Sequence, residues 1–195
     1  MYTIEHKIVM IMKGDDKEKK IFKAALKLFV ENGIDHTSIS LICKEAGIST
    51  GTPYLYFESK LDLINRLYLS IKKEILDVTA TDLSASKLTY ESLEKIWTAA
   101  VEWGVNNPYA FRFMTQMEAS PYFSEDLEAQ LANYEENQLN LIKEGIENRT
   151  FKNFPPEYIS ELIFNHVVYT ISYINSTKTK ERRIFFETLL NGIKY

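Results

Sequence analysis

Residues 33–60, GIDHTSISLICKEAGISTGTPYLYFESK, constrain this chain more than any other segment. Thr37 or Ser38 suits the N-cap of a short helix running to about Ala46, because a side-chain oxygen there can accept from the helix's unpaired N–H groups. Ala46-Gly47-Ile48-Ser49 then permits a sharp reversal, since Gly47 reaches left-handed backbone angles without steric cost. A second short helix follows, starting after Ser49 and ending near Phe57. Ile42, Ala46, Ile48, Tyr54 and Phe57 supply an inner apolar face, and Cys43 is a small apolar filler where the two backbones cross. Two short helices around a tight turn form a helix-turn-helix, a device that lays its second helix in the major groove of duplex DNA.

The rest of the chain reads as helical too. Prolines and glycines fall mostly between periodic segments, and no alternating strand pattern appears. Over about 17–32, Ile21, Ala24, Ala25, Leu28 and Phe29 repeat at helical spacing, and Gly33 suits a left-handed C-terminal cap. Ser59 with Asp62 marks the start of a longer helix carrying Leu61, Ile64, Leu67, Tyr68, Ile71 and Ile75. A Ser/Thr-rich stretch over 79–88 reads as a connection. Helices are then expected at about 89–106, 108–118, 124–148, 155–176 and 179–193. The fold class is all-α with about nine helices. A helix-turn-helix domain spans 15–75, its motif at about 38–57, and a second helical domain spans 76–195.

Composition narrows the function. An apolar fraction of 45% supports a folded core. No apolar run approaches the roughly 18 residues needed to span a bilayer, and Ile8–Met12 is too short for a signal-peptide core. One cysteine allows no internal disulfide, so a cytoplasmic location is expected. His6, His36 and His166 are scattered, and no phosphate loop, metal spacing or nucleophile motif is present, so neither an enzyme nor a cofactor is expected. The net charge is -4, yet residues 1–60 hold nine basic and eight acidic side chains, with six lysines between Lys7 and Lys23. A balanced first segment on an acidic body fits a nucleic-acid module.

The run Ile21, Ala24, Ala25, Leu28, Phe29, Gly33, Thr37, Ser38, Ile39, Ile42, Cys43, Ala46 to Ser49, Gly51 to Tyr54, Tyr56, Phe57, Ser59 and Lys60 closely resembles the tetracycline-repressor (TetR) family of bacterial regulators. Cys43 stands where that family usually has alanine. The resemblance implies that Tyr54 and Lys60 hold phosphates, helped by the helix termini near Thr37, Ser38 and Ser49. It also implies a ligand pocket among the helices between about 59 and 176, and a dimer built on the last two helices.

The second helix of the motif offers Ser49, Thr50, Thr52, Pro53, Leu55 and Tyr56, with Gly51 allowing close backbone approach. None is Arg, Lys, Asn or Gln, so no bidentate purine contact is available. Hydroxyls bond base edges or phosphates, while Pro53, Leu55 and the threonine methyls suit thymine methyl groups. A thymine-containing half-site with a large share of shape readout is expected.

The C-terminal half is crowded with large side chains. Trp97, Trp103, Phe111, Met114, Met117, Tyr122, Tyr134, His166 and Tyr169 are the candidate ligand contacts, since Trp, Tyr and His combine an apolar body with a polar edge. The helix over about 155–176 is apolar nearly all round, so it needs cover on two sides. Leu162, Val168, Ile171, Phe186, Leu189, Leu190 and Ile193 are therefore the expected dimer contacts. Two-fold symmetry would fit a palindromic operator. The expected function is a DNA-binding repressor released by a small, largely apolar or aromatic effector; the alternative is a DNA-bound adaptor answering to a protein partner.

Overall fold

A computed structural model describes residues 15–80, 88–118 and 120–195. Among them are eight α-helices: α1 (Asp16–Asn32), α2 (Ile39–Ala46), α3 (Lys60–Ala80), α4 (Tyr90–Asn106), α5 (Pro108–Glu118), α6 (Glu125–Glu147), α7 (Pro156–Thr177) and α8 (Arg183–Ile193), with one 3-10 turn at Thr52–Leu55. The expected all-α class holds. Ile8–Met12 and most of the expected 79–88 connection lie outside the described residues, while α3 continues through Ala80. No described helix is long and apolar enough to cross a membrane.

Two compact units divide the described residues. The first takes those up to Glu74 together with Asn106–Leu127; the second takes Ile75–Val105 and Glu128–Tyr195.

In the first unit, α1 begins at Asp15, whose Oδ1 accepts from the backbone N–H of Lys17 and Glu18, both at 2.9 Å. Its apolar stripe is buried as the periodicity requires, joined by Phe22, Leu26 and Val30. Gly33 ends the helix at φ 87°, donating to Phe29 O. Ser38, not Thr37, caps α2 by accepting from Leu41 N at 3.2 Å. Gly47 closes that helix at φ 65°, a left-handed angle that a side chain would strain. At the start of α3, Ser59 Oγ accepts from Asp62 N and Asp62 Oδ2 from Glu58 N, a reciprocal pair at 3.0 Å each. Far along the chain, α5 returns to α1. Phe113 stacks on Phe29 with ring centroids 5.7 Å apart, and the Tyr109 hydroxyl donates to Glu31 at 2.9 Å.

In the second unit, Thr89 and Ser92 exchange backbone-to-side-chain bonds that start α4. Trp97 of α4 meets Phe186 of α8, ring centroids 5.5 Å apart. Gly104 lies so close to Ile171 that even an alanine there would drive its Cβ into the isoleucine side chain. Lys178 takes a left-handed conformation (φ 60°) that stops α7, and the final helix starts at Arg183, later than the pattern suggested. An antiparallel bridge between Phe151 and Lys194 ties down the C-terminus.

Candidate functional site

The surface of the helix-turn-helix differs from its sequence reading in one element. The second helix is a single 3-10 turn, Thr52–Leu55, where a longer helix from Ser49 to Phe57 was expected. Pro53 is the reason. In an α-helix its N–H would bond to the Ser49 carbonyl, but proline has none. Thr52 N therefore takes Ser49 O at 3.0 Å, an i to i+3 bond that tightens the turn.

That turn sorts the expected DNA contacts. Ser49, Thr50 and Gly51 are exposed, Tyr54 is 63% exposed and Leu55 is 81% exposed. Ser49 Oγ and Thr52 Oγ1 share a hydrogen bond at 2.8 Å, so each hydroxyl is oriented by the other. Two expectations are corrected. Pro53 is buried and cannot meet a thymine methyl. Thr37 is fully buried; its hydroxyl lies 2.8 Å from Gly33 O and 3.2 Å from Leu28 O, locking the corner after α1. A side chain spent on two backbone carbonyls has no reach to a phosphate. Ser38 stays exposed beside it.

One further bond fixes the pose of the turn. The Tyr56 hydroxyl donates to Asp15 Oδ2 at 2.7 Å, tying the turn to the start of α1. This bond and the two backbone N–H groups hold the Asp15 carboxyl below the usual carboxylate range, the backbone bond from Glu18 contributing most. Asp15 was absent from the sequence reading, although an aspartate just before an amphipathic run is a recognisable cap signal. Lys60 Nζ donates to the Ile34 carbonyl at 2.6 Å, which leaves two of its three N–H bonds for a phosphate. Burial raises the Cys43 thiol, consistent with a filler and not a reactive group.

The expected ligand contacts are distributed over both units. Phe111, Met114 and Met117 are buried within the first unit. Tyr122 belongs there as well, its hydroxyl donating to Asp35, so its polar edge is already used. Trp97, Trp103, His166, Tyr134 and Tyr169 belong to the second. Tyr134 and Tyr169 are corrected. Tyr134 is exposed on α6, and Tyr169 is exposed on the outer stripe of α7, stacked on Tyr173 at 6.2 Å. Trp97 and His166 are brought together, with Trp97 Nε1–H donating to His166 Nδ1 at 3.2 Å. Burial lowers the pKa of His166 from its ordinary value of 6.5.

Four of the seven expected dimer contacts are corrected. Ile171, Phe186, Leu189 and Ile193 are buried inside the protomer, against Gly104, Trp97 and their neighbours. Leu162, Val168 and Leu190 are half-buried. The outward side chains of α7 and α8 are instead Tyr158, Phe164, Tyr169, Tyr173 and Ile184. Both faces of α7 are apolar, so periodicity alone could not say which one faced inward.

Comparison with known proteins places this geometry. Residues 21–67 match the family model for bacterial regulatory proteins of the tetR family. The chain is 26% identical over 110 residues to an HTH-type transcriptional regulator of Haemophilus influenzae, covering 56% of this chain and 59% of that protein. It is 31% identical over 77 residues to the fatty acid metabolism regulator protein of Bacillus subtilis, covering 40% of each. The match therefore spans less than two thirds of either relative. In structure it is similar to a TetR-family transcription regulator from Shewanella sp. PV-4, with a TM-score of 0.82 and 26% identity over 93% of this chain and 100% of that one.

Proposed function

We propose, from the premise that this chain belongs to the TetR family of transcriptional regulators, that it is a homodimeric repressor of a palindromic operator, released by a small, largely apolar effector. The observation that carries the reading is the exposed 3-10 turn, with Ser49, Thr50, Tyr54 and Leu55 outward on a base fixed by Gly47, Thr37 and the Asp15–Tyr56 bond. A regulator of this kind works in the cytoplasm, where its operator is.

Tyr54 and Lys60 hold phosphates, with the N-terminus of α2 at Ser38 as a further donor. Leu55 takes the thymine-methyl role that Pro53 cannot, alongside the methyl of Thr50. Thr52 and Tyr56 keep the turn in place and border the same surface. The half-site contains thymine at the position under Leu55.

The dimer uses the outward stripe of α7, Tyr158, Leu162, Tyr169 and Tyr173, with Ile184 and the half-buried Leu190 of α8. Large apolar side chains outside a helix whose opposite face is already core mark a partner surface. A second copy, paired two-fold, sets the reading turns about 34–36 Å apart, one turn of the double helix. Effector binding in the C-terminal half changes that spacing. Coupling of about 1–3 kcal/mol, roughly 5–150-fold in affinity, is sufficient. The test is a panel of apolar and aromatic compounds scored by operator affinity; a regulator of this kind loses affinity with one compound class, and indifference to all classes refutes the effector half of the reading.

A further inference from the structure

We propose that Asn165 marks the two-fold axis of the dimer, where its amide pairs with its own copy and fixes the register of two antiparallel α7 helices. The proposal rests on reading the outward stripe of α7 as the dimer face, and it adds where the axis falls and what holds it there.

Asn165 interrupts an otherwise apolar row. Tyr158, Leu162, Asn165, Tyr169 and Tyr173 share one side of α7 at helical spacing, and all are exposed or half-buried. Nδ2 of Asn165 donates to the Glu161 carbonyl at 2.8 Å. A carbonyl only accepts, so the amide nitrogen and oxygen are told apart by their chemistry. In that pose the amide still has one N–H to give and an oxygen that accepts. A group carrying both is complementary to itself, which is what two-fold symmetry asks of a residue at its axis.

The flanks of Asn165 match in the same way. Phe154 and Tyr158 form an edge-on aromatic pair before it, at 5.6 Å, and Tyr169 and Tyr173 a stacked pair after it, at 6.2 Å. Along the helix, Tyr158 and Tyr173 lie about 10–12 Å from Asn165 on opposite sides, and Leu162 and Tyr169 about 5–6 Å. Turning a second copy about Asn165 lays Tyr158 against Tyr173 of that copy, and Leu162 against its Tyr169. Phe185 of α8, edge-on to Tyr173 at 5.5 Å, extends the aromatic wall. Charge selects the antiparallel arrangement. The exposed carboxylates of α7, Glu157 and Glu161, lie in its first two turns, and the exposed Lys178 and Lys180 follow its last. Antiparallel helices bring the acidic start of one toward the basic end of the other, whereas parallel helices set like charges together. A slip of one turn buries each amide against Leu162 or Tyr169, which cannot match its donor and acceptor together. One polar residue in an apolar seam thereby specifies register, and a foreign chain with an apolar residue there is disfavoured.

The test uses the full-length protein carrying Cys43→Ala, so that an added cysteine is the only one. A disulfide needs Cα atoms within about 7 Å, a condition that identical residues meet only beside the two-fold axis. With copper phenanthroline as oxidant, Asn165→Cys should give a covalent dimer on a non-reducing gel. Tyr158→Cys and Tyr173→Cys should each stay unlinked alone and link to one another when mixed. Separately, Asn165→Asp and Asn165→Lys should each weaken dimerisation at least about tenfold in sedimentation, and their equimolar mixture should recover it, because opposite charges then meet at the axis. If wild type sediments as a dimer, self-linking of Tyr158→Cys in preference to Asn165→Cys, or no recovery in the mixture, overturns the axis and leaves the dimer reading standing. A wild type that sediments as a monomer overturns both.

Discussion

The turn that presents Tyr54 and Leu55 and the helix that carries His166 solve opposite problems. In the reading motif, short polar side chains are bonded to nearby backbone: Asp15 to its own helix start, Ser38 to Leu41, Thr37 to two carbonyls, Ser59 to Asp62. What remains outward is a small surface with a fixed pose. Along α7 polar side chains such as Asn165 and Thr177 also bond to their own helix, but large apolar ones face both ways. Its inner face is set by α4, where Trp97 meets His166 and Gly104 leaves room for Ile171, and its outer face is left for another surface. Hydrogen bonds, most of them local and one reaching from Tyr56 back to Asp15, fix where the first region points, whereas apolar packing fixes the second.

The sharpest break between the two regions is expected at Trp97. Its replacement by alanine empties a fully buried site shared by α4, α7 and α8 and should cost about 3–5 kcal/mol in urea unfolding. Tyr169→Ser, on the other face of α7, should leave protomer stability within about 0.5 kcal/mol and weaken dimerisation in sedimentation. Equal losses at the two positions would erase the distinction between the faces.

Thr37→Val tests the reading motif in the same terms. It removes the hydroxyl bonded to the Gly33 carbonyl and should cost about 1–2 kcal/mol of stability. The salt dependence of DNA binding should not change, because Thr37 makes no phosphate contact. Lys60→Met should do the reverse. Its stability loss should be small, while the log–log slope of affinity against salt falls by about 0.9, one phosphate. An unchanged slope would restrict Lys60 to its bond with Ile34.

The smallest effect is a pH dependence. His166 binds its proton less readily when folded than its ordinary 6.5. Between those two values the unfolded chain holds more protons, so stability falls as pH drops below about 6.5 and stops falling once the folded protein is protonated too. Above that range His166 contributes no slope. His166→Gln should flatten the curve between pH 7 and 5, as followed by thermal unfolding; an identical curve in the variant would place the titrating group elsewhere.

Legibility in the sequence follows the same division. Gly33, Gly47, Ser38 and the Ser59–Asp62 pair act within four residues of themselves, and sequence spacing suffices to read them. Pro53 was visible too, but its effect on the Ser49 carbonyl turns a short helix into one 3-10 turn and removes its own ring from the surface. The Thr37 bond to Gly33 and the Asp15 cap lie within four residues and are legible, whereas the bonds that bury Thr37 against Leu28 and tie Asp15 to Tyr56 span nine and 41 residues and are not. Ile171 reads as outward because α7 is apolar on both faces, and a period cannot say which face a glycine on α4 will admit; Phe186, Leu189 and Ile193 form one stripe of α8, and no spacing says that Trp97 of α4 meets it. The split of the aromatic set was equally hidden. Phe111 and Met114 follow Trp97 closely in sequence, yet α5 returns to α1.

Selection of bound duplexes from a random DNA pool by the full-length protein tests the central claim most directly. The account predicts enrichment of a palindrome whose half-sites are about 10 base pairs apart, or a multiple of that spacing, each with thymine at the position under Leu55; enrichment of G-rich, non-palindromic sequence, or of none at low salt, would contradict it.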